Sequence, residues 1–183
     1  KRSPAELTAE ALKAAKDADV VIFVGGLNKS DNQDAEGADR KDLALPYNQD
    51  KLIGELVKVN KNVVFVNISG NAVAMPWVNE VPGIVQGWFL GTEAGTALAK
   101  VLVGDVNPSG KLTFTFPVKL NDNGAHTLGE FPGVDEVTYK EGIFVGYRWA
   151  DKQKIKPLFS FGHGLSYTTF EYGKVTADKK QMT

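Results

Sequence analysis

Cysteine is absent from the 183-residue chain, and histidine and methionine occur twice each. Without cysteine there are no disulfides, no thiol nucleophile and no thiolate metal site, and the redox compartment is left open. The two histidines, His126 and His163, stand far apart with no second ligand at metal-binding spacing, so we expect no zinc and no other metal. No apolar run approaches bilayer length. Charge is balanced, with 21 Lys and Arg against 22 Asp and Glu, so there is no basic footprint for nucleic acid or an anionic membrane. Several catalytic motifs are missing too. There is no Gly-Xaa-Ser-Xaa-Gly nucleophile elbow, no phosphate-binding Gly-Lys-Ser/Thr loop, and no Gly-Xaa-Gly-Xaa-Xaa-Gly after a strand. The chain begins at Lys1 rather than Met, and we expect it to be a piece of a longer protein.

What the chain does contain is organised around Ala18–Leu45. Val20-Val21-Ile22-Phe23-Val24 is β-branched and short, which predicts a strand buried on both faces. Gly25-Gly26 ends it. A long polar loop follows with Asp31, Asp34, Glu36, Asp39 and Asp42, and with Lys29, Arg40 and Lys41 among them. Parallel α/β sheets bind ligands beyond the carboxyl ends of their strands, and long loops there tend to carry function. Asp31-Asn32-Gln33-Asp34 has the wrong oxygen and glycine spacing for a calcium loop.

The remaining pattern predicts helix over Pro4–Lys16, helix from Pro46 to about Val59, a buried strand over Asn62–Ser69, a short strand over Pro82–Phe89, helix over Gly91–Val103 and a fourth strand over Lys111–Phe116. This order predicts an α/β domain, a mainly parallel sheet sandwiched between helices. Residues 1–117 form its core. Residues 118–165 read as an irregular extended segment wrapping the sheet. Residues 166–183, β-prone over Ser166–Lys174, read as the start of a following β domain or a tail.

A cluster of carboxylates beside an arginine at a strand end suits general acid/base work, where burial or negative neighbours tune a carboxyl pKa. Hydrolysis of a glycosidic bond with retention needs two carboxyls about 5–5.5 Å apart. The loop can supply one, and nothing else in the chain clearly supplies the other.

At these residues the chain resembles a known family. Val24-Gly25-Gly26-Leu27-Asn28, Ala35-Glu36-Gly37-Ala38-Asp39-Arg40, and Leu43-Ala44-Leu45-Pro46 with Gln49 resemble the family-three glycoside hydrolases, the β-glucosidase and β-xylosidase group. Further along, Met75-Pro76-Trp77, Gln86-Gly87-Trp88-Phe89, Gly104–Leu112, Tyr139–Arg148 and Pro157–Tyr172 continue the resemblance over nearly the whole chain. It implies the second, α/β sandwich domain of such an enzyme. The nucleophilic aspartate would lie in an N-terminal barrel outside this chain, and a fibronectin-III-like domain, also absent, would follow. It implies a β-linked oligosaccharide or glycoside as substrate, the barrel domain as partner, and a periplasmic or secreted location sooner than a cytoplasmic one. By the Glu-Gly-Xaa-Asp-Arg pattern, Glu36 would be the general acid/base, with Asp39 and Arg40 anchoring the loop by ion pairing; Asp31 and Asp34 are its competitors. The resemblance assigns no sugar-contacting residue. The isolated chain should be inactive, and its acidic loop mobile. Two rivals stand beside this reading: a non-catalytic carbohydrate-binding or scaffolding domain of the same fold, and a flavodoxin-like cofactor binder.

Overall fold

The computed structural model describes residues 2–179 and 181. Helix α1 spans Pro4–Lys16. Ser3 caps it, its hydroxyl accepting from Glu6 N while the Glu6 carboxylate accepts from Ser3 N, and Pro4 sits where no partner for an N–H is needed. Hydrogen bonding from the Ser3 backbone N–H, with the Ser3 side chain second, holds the Glu6 carboxyl below its ordinary value. Strand β1 is Val21–Gly26, α2 is Gln49–Val59, β2 is Val63–Ile68, β3 is Gly83–Gln86 and α3 is Ala94–Leu102.

The three strands form one parallel sheet in the order β1-β2-β3, with Phe23 level with Phe65 and Phe65 level with Ile84. The period-2 alternation of strands sends these three side chains to one face. There they meet Ile53, Leu56 and Val57 of α2, Leu12 of α1, and Trp77. Phe65 is fully buried and meets the Trp77 ring edge-on at 4.8 Å. On the other face, Leu98 of α3 and Ile68 close on Gly87.

Several expectations need correction. β1 is buried on one face only: Ile22 is 52% and Val24 62% exposed, because β1 is the sheet edge and α3 lies toward the β3 side. Lys111–Phe116 is not a fourth strand; it makes a single antiparallel bridge, Phe116 to Phe159. Its alternation is real, but it is used to stack Phe114 on Phe116 at 5.2 Å and to seat Trp88 edge-on against Phe114. The segment 118–165 is not wholly irregular. It contains a 3-10 turn at Leu120–Asp122, the short helix α4 at Gly124–Thr127, and α5 at Tyr147–Gln153, which buries Trp149 and Ala150. No strand forms over Ser166–Lys174, and residues 180, 182 and 183 lie outside the described residues.

Two sequence motifs prove to be halves of one clasp. Asn107 accepts from Ser166 Oγ and Tyr167 N and donates to Thr168, while Leu112 N donates to His163 O and Gly162 N to Leu112 O. Gly164 carries no side chain because its backbone lies directly on the Gly110 carbonyl. His163 stacks on Phe159 at 5.2 Å, a packed turn residue.

Candidate functional site

The acidic loop leaves the carboxyl end of β1 over the equivalent end of β2. Its take-off is held by Gln49, at the start of α2. The Gln49 side chain accepts from Gly26 N at 2.8 Å and donates to Gly26 O at 2.9 Å and Pro46 O at 3.0 Å. Its return is held by Asp50, which accepts from Leu45 N at 3.0 Å and from the Trp77 indole at 2.9 Å. This is the physical content of the Leu45-Pro46 and Gln49 pattern: a half-buried fork that grips both ends of the loop.

Between those ends the loop docks on the Ser69–Ala72 turn. Asp34 is buried and uses both carboxylate oxygens, Oδ2 accepting from Gly70 N at 2.7 Å and Oδ1 from Asn71 Nδ2 at 2.9 Å. Arg40 donates to Ala72 O at 2.7 Å. Burial draws the Arg40 guanidinium below its ordinary value, while the negative charges of Asp34 and Asp42 oppose that; the group stays protonated in either case. Gln33 is buried too, accepting from Asn28 N and donating to the Tyr47 hydroxyl.

The turn that receives the loop is itself fixed from within the sheet. Asn67 Nδ2 donates to Ser69 Oγ at 2.8 Å and to Gln86 Oε1 at 2.7 Å, and Ser69 Oγ donates to Asn71 O at 2.8 Å. Asn67 and Ser69 are fully buried. These bonds brace the turn, while Asn67 Oδ1 is buried with no partner among the described residues.

The predicted site residues separate on this frame. Glu36 is exposed, on the five-residue span 35–39 between the Asp34 and Arg40 anchors, and no hydrogen bond ties that span to another described residue. Asp39 is exposed and forms no ion pair with Arg40 among the described residues. The expected ion-pair anchoring is therefore replaced by a hydrogen bond from Arg40 to a backbone carbonyl, an acceptor that the turn leaves free. Asp31 is exposed, and Asp34 is fully engaged in holding the loop.

A cleft of about 430 Å³ opens beside the loop. Asp34, Asp39 and Arg40 line one side, and Thr115, His126 and Phe131 the other. Thr115 Oγ1 and His126 Nδ1 are buried there without a partner among the described residues. Glu36 does not line this cleft. The structure thus adds residues that the sequence did not single out: the second wall of the cleft, and the buried Gln33. The cleft wall comes from residues about 80 positions downstream, which no local pattern could have joined to the loop. Among the described residues no cluster of three metal-ligating side chains occurs. The three tryptophans pack instead of lining the cleft: Trp77 and Trp149 are buried, and Trp88 meets the Phe114 ring at 5.5 Å.

We expect amide hydrogen exchange to show this division. Amides of 35–39 exchange at close to the unprotected rate, while Asp34, bonded to Asn28 O at 3.0 Å, exchanges with the loop's docking free energy. Equal protection across 33–41 would show that the span is held by contacts other than these anchors.

A parallel α/β domain carrying a tethered acidic loop beyond its strand ends is the class defined by this fold and site. Within that class, the glycosyl hydrolase family 3 C-terminal domain matches residues 4–167, and the chain belongs to that family. It is 56% identical to a β-glucosidase of Bacteroides ovatus over 177 residues, covering 94% of this chain and 24% of that protein. It is 48% identical to thermostable β-glucosidase B of Acetivibrio thermocellus, covering 97% of this chain and 23% of the other. The crystal structure of the Kluyveromyces marxianus β-glucosidase in complex with glucose superposes with a TM-score of 0.87 at 40% identity, over 96% of this chain and 21% of that one. The chain therefore spans about a quarter of the length of the curated relatives it matches.

Proposed function

We propose that this chain is the acid/base-bearing domain of a retaining β-glycosidase, in first place a β-glucosidase acting on terminal β-linked glucose. The observation that carries the reading is the presentation of Glu36: an exposed carboxyl on a short untethered span, pinned two residues before and four residues after itself. A carboxyl displayed in this way serves a reaction centre held by another surface. Glu36 protonates the leaving glycosidic oxygen and then deprotonates the water that releases the sugar, while an aspartate outside this chain forms the glycosyl-enzyme bond.

The surface of the chain supports a covering partner domain. Tyr139, Ile143, Val145, Tyr147 and Leu165 are all exposed, apolar side chains that a covering domain would withdraw from water. An N-terminal barrel lying over the loop is the partner this reading requires. The scaffolding alternative has no observation in its favour, because the loop and its anchors are intact.

The reading is tested with the full-length protein and this chain side by side on an aryl β-glucoside, following the first-formed sugar by proton NMR. The full-length protein should release β-glucose before mutarotation, and the chain alone should show no turnover above buffer, since it holds at most one of two carboxyls that act as a unit. Release of α-glucose, or turnover by the chain alone, would overturn it.

A further inference from the structure

We infer that Asp34 is a positioning residue for Glu36: it sets where the acid/base carboxyl stands by fastening the loop to the end of β2. The inference rests on the acid/base reading of Glu36 given above.

Asp34 is an unusual residue to find buried on a loop. A carboxylate withdrawn from water is costly unless its oxygens are occupied by donors. Here each oxygen has one donor, a backbone N–H and a side-chain amide, both from Gly70-Asn71. Both oxygens are thus occupied by the turn on which the loop docks, which gives Asp34 a fastening role. Those donors belong to the best-fixed turn of the domain. Its Ser69 is tied through Asn67 to Gln86 of the neighbouring strand, and its Ala72 carbonyl receives Arg40 from the same loop.

The mechanical consequence follows from chain length. Two residues span at most about 7 Å, so fixing Asp34 confines the backbone of Glu36 to a small arc over the β2 end. With Asp34 removed, the nearest remaining fastening on that side is the Asn28 and Gln33 turn, which bonds only within the loop, and to Tyr47. Displacement of a catalytic group by about 1 Å costs on the order of 100-fold in rate.

The test is a double-mutant cycle in the full-length protein with Asp34→Ala, Glu36→Ala and both. The kcat/KM values are read on glucosides of graded leaving-group acidity, from an alkyl glucoside to a dinitrophenyl glucoside. We expect Asp34→Ala to lose about 100-fold on the alkyl glucoside, far less on the dinitrophenyl glucoside, and almost nothing further in the Glu36→Ala background. Asp34→Asn, which keeps the shape and one acceptor, should recover part of the loss and carries the test should Asp34→Ala fail to fold. A loss equal for all leaving groups and additive with Glu36→Ala would overturn the inference and leave Asp34 as a fold residue only. Wild-type kinetics in Asp34→Ala would overturn it as well. If Glu36→Ala itself retained wild-type kinetics, the acid/base reading would fall, and this inference with it; that failure shows in the Glu36 variant alone and so is distinct from the other two.

Discussion

In the full-length protein, Glu36→Ala should lower kcat/KM for an alkyl β-glucoside by a factor of about 10²–10⁴, the usual contribution of a placed general acid. The two chemical steps should suffer unequally. A dinitrophenolate leaves without protonation, so the first step survives with that substrate. The second step still needs a base to activate water. The glycosyl-enzyme then accumulates, which gives a burst of phenolate, a lowered KM and a slow steady state. Azide is already anionic and needs no base, so it should restore turnover and yield β-glucosyl azide. The structure makes this variant clean, because Glu36 is exposed and bonded to no described residue, so its removal leaves the loop's fastenings in place. Unchanged kinetics in Glu36→Ala, or azide without effect, would move the role to Asp31, Asp39 or Asp42, the other exposed carboxylates of the same loop.

The second large effect is on stability. Gly26→Ala should destabilise the domain by about 3–5 kcal/mol, a large part of the total stability of a domain this size. Gly26 sits at φ +132°, a backbone region open in practice to glycine alone. A Cβ there would lie within 3.0 Å of the carbonyl oxygen, carbonyl carbon and nitrogen of Ile68. Strain and overlap each cost about 1–3 kcal/mol, and the neighbouring atoms are backbone of the paired β2 strand, at the carboxyl end of the ladder, instead of a flexible side chain. Gly26 also exchanges hydrogen bonds with Gln49, so the same substitution loosens the fork that launches the acidic loop. Chemical denaturation measures it. A loss under 1 kcal/mol would mean that β1 shifts past β2 with little resistance.

Local order was plain in the amino-acid string. The helices at Pro4–Lys16, Gln49–Val59 and Ala94–Leu102 and the strands at Val63–Ile68 and Gly83–Gln86 fall within stretches where the sequence pattern predicts them, and β1 runs two residues past Val20–Val24, through the Gly25-Gly26 pair expected to end it. Their alternation implied the parallel α/β sheet, because sequential strands joined through helices run parallel. The family was legible too, since its motifs are strings of neighbours: Gly-Gly at a strand end, Glu-Gly-Xaa-Asp-Arg on the loop, and the Gly104 and Pro157 stretches. Ends were read too generously. The second helix begins at Gln49 because Tyr47 and Asn48 take left-handed backbone, and β3 stops before Trp88, which does the same.

Partnership between distant residues was not legible. An alternating segment such as Lys111–Phe116 announces that one side will be buried, but not whether by a strand or by aromatic rings. A run such as Val20–Val24 announces its hydrophobicity, but its exposure depends on whether a second layer covers each face, and the face of Ile22 and Val24 stays open. The sharpest case is the acidic loop. Five carboxylates within a dozen positions look interchangeable in the sequence, because a carboxyl carries the same charge wherever it stands. Folding separates them by what they meet: Asp34 finds the two donors of Gly70 and Asn71 and becomes a fastening, while Glu36, two residues on, meets nothing and stays free. Side-chain identity is a local property and can be read one residue at a time. Burial and hydrogen-bond occupancy are properties of pairs brought together from positions 36 and 37 apart, and they exist only once the sheet has formed.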